Sequence, residues 1–230
     1  MGQARLVGNP PIEVTVRRSA RARRLSLRVS RLDGRVTLTL PRRTGEAEGL
    51  AFVAEREAWL RRHLADIALP AAPALGLTLP VEGVPRLLVP GRGRAPVLGA
   101  DTLAVPGAED RLGPRLAGFL KTLARERLSA ASDRHAAALG RRYGRLTLRD
   151  TRSRWGSCSH QGDLMYCWRL VMAPPAVLDY VAAHEVAHLE RMDHSPAFWE
   201  IVARLCPDHA RHRRWLADHG TELGRWRFAD

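Results

Sequence analysis

The alternation of apolar and polar residues changes from a strand period to a helical period early in the chain. In residues 24–40, apolar and polar positions alternate on both sides of Asp33-Gly34, a pair typical of tight hairpin turns. This segment predicts two antiparallel strands. In residues 44–69, apolar side chains recur at helical spacing with charged residues between them, which predicts one helix with a single buried face.

The middle of the chain combines turns, short strands and one long helix. Residues 70–110 are rich in proline and glycine, and the apolar runs at 86–89 and 102–105 predict small strands. A helical period follows at residues 112–139, and Gly140 provides a stop signal. The long helix is expected to act as a scaffold.

The C-terminal part contains two further strand candidates, at residues 145–149 and 163–170, and then two helices. Pro174 and Pro175 suit the first turn of a helix, where a missing N–H group does no harm, and this helix should continue through His188. Ser195-Pro196 is typical of a helix start, with serine as the N-cap. The preceding helix is therefore predicted to end near Asp193.

These elements predict an α+β fold in two parts. Residues 1–109 would form a β-rich portion with one helix, and residues 110–230 a mainly helical unit with a short β-sheet. An apolar fraction of 45% in 230 residues is sufficient for a core. No apolar run approaches the roughly 20 residues that a transmembrane helix needs, and no secretory signal is recognisable.

The cysteines and the net charge narrow the expected compartment and partners. Cys158, Cys167 and Cys206 form no CxxC pair, so a disulfide framework is not expected and a reducing cytoplasm fits best. The formal net charge is +13, and Lys121 is the only lysine. Such a field attracts polyanions, so a nucleic acid or an acidic protein is a candidate partner. No nucleic-acid-reading motif accompanies the charge.

The densest basic run lies near the N-terminus and includes five arginines: Arg17, Arg18, Arg21, Arg23 and Arg24. These side chains could bind a phosphate backbone. They could equally protect an exposed edge strand by charge. The sequence leaves both interpretations open.

The stretch AAHEVAHLERMDH carries the candidate chemistry. His184 and His188 are four residues apart, so on a helix their imidazoles lie on one face and can bind the same metal ion. Glu185 is turned aside from both and is the candidate general base toward a metal-activated water. His194 is the candidate third ligand, because the helix start that follows it forces a corner there. The HExxH-x5-H pattern predicts a peptidase with one Zn²⁺ and an open coordination position.

The same region resembles the YgjP-like metallopeptidases, which are related to the SprT-like proteases. The resemblance rests on RSRWGSCS, GDLMYCWRLVMAPPAVLDYVAAHEVAHL, MDHSPAFW and RRWL, and the N-terminal hairpin and helix are also similar. It implies His184, His188 and His194 as metal ligands, Glu185 as the base, and the WGSC loop as a wall of the active-site cleft. The family pattern has asparagine where this chain has Cys167, so specificity or support is expected to differ there.

Candidate substrate contacts lie upstream of the histidines. Trp155, Tyr166 and Cys167 are the candidate substrate-binding residues, and Tyr166 or Tyr180 could donate a hydrogen bond to the oxyanion. The strand at 163–168 is either an edge on which an extended peptide adds as a further strand or an ordinary paired strand. Cys158 is interpreted as a buried structural thiol, because no base can be assigned to it as a nucleophile.

Two alternative functions remain open. A nucleic-acid-associated protein with a structural zinc would need a fourth protein ligand, such as Cys167 or His160. A protease that acts on DNA-bound proteins would be stimulated by DNA and weakened by salt. His209, His212 and His219 are expected at the surface or at helix caps, not at a second metal site. The sequence does not specify an oligomeric state.

Overall fold

The chain forms two compact units, Met1–Pro70 and Ala71–Asp230. The structure is a computed structural model, and it describes residues 3–30, 34–65, 71–151 and 153–228. The predicted α+β class is confirmed. The boundary expected between residues 109 and 110 lies inside the second unit, between a β-sheet and the longest helix. As a boundary between domains it stays a prediction.

The first unit is a mixed sheet with two helices. Its strands are β1 (Gln3–Val7), β2 (Ile12–Ser19), β3 (Ser26–Val29) and β4 (Val36–Pro41), in the order β1-β2-β4-β3. The predicted hairpin is confirmed, because β3 and β4 pair antiparallel and Gly34 before β4 has a φ of 70°. Asp33 lies outside the described residues. Strand β2, which contains Arg17 and Arg18 of the basic run, pairs antiparallel with β1 and parallel with β4. It is therefore an inner strand and not the exposed edge strand that was one of the two interpretations of this run.

The single helix predicted at residues 44–69 is wrong in its extent. The structure has two helices, α1 (Glu46–Ala54) and α2 (Glu57–Ala65), and residues 66–69 lie outside the described part of the chain. The first helix ends in a tight turn in which the Arg56 N–H donates to the Val53 carbonyl at 3.0 Å. Neither glycine nor proline marks this break, so the sequence contains no local signal for it.

The second unit begins with a four-stranded sheet. Its strands are β5 (Thr78–Val81), β6 (Val84–Gly91), β7 (Val97–Leu98) and β8 (Thr102–Pro106), in the order β5-β6-β8-β7. Strands β6 and β8 contain the two apolar runs predicted as small strands, which confirms that prediction.

Helix α3 (Leu112–Ala138) is the scaffold of the second unit, as predicted. It presents a stripe of buried leucines at helical spacing, including Leu116, Leu120 and Leu128. Its end is also as predicted: Gly140 has a φ of 63°, and the Arg141 and Gly140 N–H groups donate to the carbonyls of Ala136 and Ala137. These two hydrogen bonds satisfy carbonyl groups that a helix end otherwise leaves unpaired.

A small sheet and three helices complete the second unit. The strands are β9 (Leu146–Arg149), β10 (Gly156–Cys158) and β11 (Leu164–Cys167), and the helices are α4 (Pro175–Ala187), α5 (Pro196–Leu205) and α6 (His209–Gly224). The strand predicted at 163–170 is too long, because Trp168–Met172 is a 3₁₀ helix. Among the described residues, no helix is long and apolar enough to cross a membrane.

Strand β11 is the central strand of the small sheet, which corrects one of the two interpretations of residues 163–168. It pairs antiparallel with β10 on one side and parallel with β9 on the other. Both rows of its backbone hydrogen-bonding groups are therefore used, and no peptide can add to it. Strand β10 lies at the edge of this sheet.

Candidate metal centre

Three histidine side chains meet at the C-terminal end of helix α4. His184 lies in its last turn, His188 is the residue that caps it, and His194 lies just before α5. One nitrogen from each ring lies within 4.8 Å of the others, and the Nε2 atoms of His184 and His194 are 3.2 Å apart. These are the three residues that the sequence selects.

The corner that brings His194 back is longer than the sequence predicts. Helix α4 ends at Ala187, not near Asp193, because the chain beyond it continues in turns in which the N–H of Leu189 donates to the Val186 carbonyl. At the other side of the corner, the Asp193 carboxylate accepts the Ser195 N–H at 3.2 Å. Ser195 is the N-cap of α5 by position, although its side chain makes no capping hydrogen bond.

Hydrogen bonding fixes which nitrogen of His188 is available. Its Nδ1 lies 2.8 Å from the carbonyl oxygen of Arg191, and a carbonyl can only accept, so Nδ1 carries the proton. The lone pair is then on Nε2. A backbone carbonyl in this position is the usual means of orienting a metal-binding imidazole. The carbonyl belongs to the corner itself, so the turn that positions His194 also orients His188.

The electrostatics of His184 and His188 favour their neutral, ligand-competent form. Burial lowers the pKa of His184 to about 3, with further contributions from His188, His194 and Arg213. Burial also lowers the pKa of His188. Neutral imidazoles bind metal without first losing a proton. His184 and His188 are therefore uncharged near neutrality.

A single metal ion fits this group of nitrogens. Tetrahedral zinc with zinc–nitrogen bonds of about 2.0–2.1 Å places its ligands roughly 3.3 Å apart. The Nε2 atoms of His184 and His194 are 3.2 Å apart, and all three ligand nitrogens lie within 4.8 Å of one another. His188 is buried, His184 is partly buried and His194 is exposed. Access from solvent is therefore from the His194 side.

A fourth protein ligand is absent from this group within the part of the chain that the structure describes. Neither Cys167 nor His160 joins the three histidines. His209 also stays outside it, because its ring stacks on Trp199 at 5.8 Å between centroids. A closed structural zinc site, the basis of the first alternative function, therefore has no support in the geometry.

An aromatic ring backs the three histidines. Phe198 on α5 is fully buried, and its ring centroid lies 5.0, 4.5 and 4.9 Å from those of His184, His188 and His194. Its contacts hold the orientation of all three imidazoles from the α5 side.

Glu185 lies beside the histidines in sequence, and its carboxylate lies against strand β10. The residue is 5% exposed, and burial raises its pKa to about 8, partly opposed by the charge of Arg154. The strand passes so close that a Cβ atom on Gly156 would lie 2.6 Å from both Cγ and Oε1 of Glu185. Sequence reasoning missed this contact, although a glycine inside a strand is a signal of close approach.

The comparisons with known proteins bear on the same region. A family model described as YgjP-like, metallopeptidase domain, matches residues 23–219. The chain belongs to the YgjP-like family. No curated protein and no solved structure matches it. Membership of the YgjP-like family makes the protein a metallopeptidase and implies a metal ion and a protein or peptide substrate.

The candidate substrate-binding residues of this YgjP-like chain lie in different environments. Trp155 is half-buried and contacts α6 at Gly220, where an added Cβ would lie 2.8 Å from the indole ring. Tyr166 is fully buried, and its hydroxyl lies 3.0 Å from the Ser132 hydroxyl on α3. Cys167 is also fully buried. The side chains of Tyr166 and Cys167 therefore do not reach a surface at which substrate could contact them.

Cys158 of the WGSC segment and Tyr180 of α4 are both at least partly buried. Burial, with Glu185 and Asp163 nearby, raises the pKa of the Cys158 thiol to about 11, so it is protonated at neutral pH. This agrees with its interpretation as a structural thiol. Tyr180 is 5% exposed, and its ring lies 6.1 Å from that of His184.

Proposed function

We propose that this metallopeptidase hydrolyses peptide bonds with one Zn²⁺ held by His184, His188 and His194, and with Glu185 as the general base. The observation that carries the proposal is the convergence of three imidazoles beside a buried carboxylate at one end of α4. These are the ligands and the base that the HExxH-x5-H pattern predicts.

The ligand set favours zinc. Three histidine nitrogens without a fourth protein ligand among the described residues match catalytic zinc sites, which keep one position open. A zinc ion bound there would supply Lewis-acid chemistry, polarising the scissile carbonyl and lowering the pKa of a water molecule. The protein supplies the orientation of the ligands, through the Arg191 carbonyl on His188 and the Phe198 ring behind all three.

Glu185 would take the proton from the attacking water and pass it to the leaving amine. A general base works best when its pKa lies near the working pH. Burial raises the pKa of Glu185 to about 8 in the metal-free protein, and a nearby cation would favour the ionised carboxylate. The carboxylate is thus available as a proton acceptor near neutrality.

The edge strand β10 is our proposed platform for the substrate. It pairs only with β11 among the described strands, and its Gly156 contacts Glu185. A peptide that adds along the free side of β10 would be held by backbone hydrogen bonds close to the base. Trp155, which immediately precedes this strand, is the candidate side chain for substrate contact.

The experiment measures bound metal and cleavage of casein in wild type and Glu185→Gln. We expect the variant to keep its metal and to lose cleavage by at least about a hundredfold, the usual contribution of a general base. Glu200→Gln is the matched control, because Glu200 is an exposed glutamate on α5. Unchanged cleavage in Glu185→Gln would remove Glu185 from the mechanism.

The metal assignment needs its own measurement. Removing zinc with a chelator should abolish cleavage, and adding zinc back should restore it. His194→Ala should weaken zinc binding by several orders of magnitude, since it leaves two protein ligands where catalytic sites use three. Wild-type zinc affinity in His194→Ala would contradict the proposed ligand set.

Cleavage of DNA-bound proteins is supported only by the net charge of +13. It stays a prediction, and it requires that DNA increases the rate of cleavage at low salt.

A further inference from the structure

An open groove of about 850 Å³ lies on the surface of the unit Met1–Pro70. The metal ligands belong to the other unit, Ala71–Asp230. It is bordered by strand β3 and by helices α1 and α2. We call it the β3 groove, lined chiefly by Arg23, Arg24, Leu27, Phe52, Arg56 and Trp59. Its size is within the range of ligand-binding clefts.

One wall of the groove is an open strand edge. Strand β3 is the last strand of its sheet and pairs only with β4 among the described strands. Ser26 and Leu27 of this strand line the groove. An antiparallel edge strand leaves every second residue with unpaired N–H and C=O groups, which can bind the backbone of an extended chain.

The floor of the groove is apolar. Leu25, Leu27, Phe52 and Trp59 are each only partly buried, and all four pack against the core of the unit from outside. An extended peptide points alternate side chains to one side. A peptide on the β3 edge would therefore place alternate side chains on this floor while its backbone pairs with the strand.

The rim of the groove is basic. Arg23 and Arg24 are exposed, and neither makes a hydrogen bond or ion pair with any described residue. Arg56 is partly neutralised by Glu55 at 3.4 Å, and Glu48 is the carboxylate that lines the groove. The positive charges exceed the negative ones, so the rim complements an acidic occupant.

The aromatic rings of the groove are already covered, which argues against single-stranded nucleic acid. The guanidinium of Arg56 lies over the Phe52 ring at 3.8 Å, and the Trp59 ring contacts His63 at 4.2 Å between centroids. Proteins that bind single strands need free aromatic faces on which bases stack. An open strand edge, in contrast, is the feature that peptide binding uses.

We propose that the β3 groove binds an extended, acidic peptide segment, which adds to strand β3 as a further strand and pairs its carboxylates with Arg23 and Arg24. This inference rests on the contacts within the first unit and does not require the proposed mechanism of hydrolysis. The groove would select acidic protein segments, independently of the residues that the metal centre accepts.

The test uses the whole 230-residue chain with Glu185→Gln, so that cleavage does not consume the probe. Binding is measured by fluorescence anisotropy at about 0.15 M ionic strength, where long-range attraction between exposed charges is screened. The probes are a labelled unstructured peptide in which aspartate or glutamate alternates with valine or leucine, the same peptide with lysine at the acidic positions, and a single-stranded oligonucleotide. The acidic peptide should bind about tenfold more tightly than either of the other two, which is within the range expected for two exposed charge pairs.

A matched pair of charge reversals locates the site. Arg23→Glu with Arg24→Glu should weaken binding of the acidic peptide by about tenfold, because each reversal removes an exposed charge pair and puts a like charge in its place. Arg42→Glu with Arg43→Glu makes the same change of net charge at exposed positions outside the groove and should have little effect. Equal losses in the two double variants would overturn the proposal, because they would mean that diffuse charge alone attracts the peptide.

Hydrogen exchange tests the added strand. Binding of the acidic peptide should slow amide exchange in Ser26–Val29, since the free edge becomes hydrogen-bonded. Binding without protection of β3 would overturn the strand addition. Absence of peptide binding, or tighter binding of the oligonucleotide than of the acidic peptide, would overturn the proposed occupant.

Discussion

A single methyl group at Gly156 should separate metal binding from hydrolysis. An ideal Cβ at this position would lie 2.6 Å from Cγ and from Oε1 of Glu185 and 2.8 Å from its Cδ. Favourable carbon contacts are at about 3.5–4.0 Å, so the carboxylate or the strand must move by roughly 1 Å in Gly156→Ala. The backbone of Gly156 is not in the left-handed region, so alanine causes no strain of its own.

The expected losses of stability and activity in Gly156→Ala follow from the atoms that the added methyl group would contact. Its three nearest neighbours all belong to Glu185, and none belongs to a histidine. Overpacking of this kind lowers the free energy of unfolding by about 1–3 kcal/mol. A displacement of about 1 Å in a catalytic group lowers the rate by about a hundredfold. We expect zinc content to remain at the wild-type level.

The assay combines zinc content, thermal unfolding and kcat/KM for a peptide substrate in wild type and Gly156→Ala. Gly118→Ala is the control, because Gly118 is exposed on α3 and an added Cβ there has no neighbour within 4 Å. If folded, zinc-loaded Gly156→Ala keeps kcat/KM within about threefold of wild type, the position of Glu185 does not limit hydrolysis. Loss of zinc together with activity would show that the methyl group disturbs the ligands instead.

Three further substitutions test individual features of the second unit. In the metal-free protein, burial raises the pKa of Glu185 from 4.5 to about 8. The group therefore contributes to the free energy of unfolding below pH 4.5, and this contribution, at most about 5 kcal/mol, is lost as pH rises through about 8. Urea unfolding of Glu185→Gln at a series of pH values should not show this loss. Tyr166→Phe should lower the free energy of unfolding by about 1 kcal/mol, because the hydrogen bond to Ser132 is lost, and should leave kcat unchanged. A fall in kcat would show that the Tyr166 hydroxyl takes part in hydrolysis. Gly140→Ala should lower the thermal midpoint, because its φ of 63° costs about 1 kcal/mol for alanine; an unchanged midpoint would contradict that strain.

The elements that the sequence predicts well are those determined by neighbouring residues. The β3–β4 hairpin follows from its alternation and its turn, and α3 follows from an apolar stripe that ends at Gly140. The spacing of His184 and His188 is likewise local, because four residues on a helix bring two rings to one face. The helix start at Pro196 is enough to predict a corner at His194.

The errors concern pairings between distant segments and the ends of helices. Nothing within residues 163–168 specifies that two strands flank β11, since strand partners are chosen by burial across the whole unit. The burial of Tyr166 and Cys167 follows from that central position. The break between α1 and α2 and the early end of α4 at Ala187 carry no glycine or proline signal, and backbone turns determine both.

Metal binding and hydrolysis at the proposed site therefore depend on different parts of the chain. The metal ligands lie within one helix end and one corner, from His184 to His194, so local folding of α4 and α5 is sufficient to bring them together. The base is positioned by strand β10, which lies earlier in the sequence and is held in place by its pairing with β11. Substitutions that loosen β10 should consequently leave a protein that binds zinc and does not cleave, whereas substitutions in the corner should affect both properties. Gly156→Ala and His194→Ala are the pair that tests this separation.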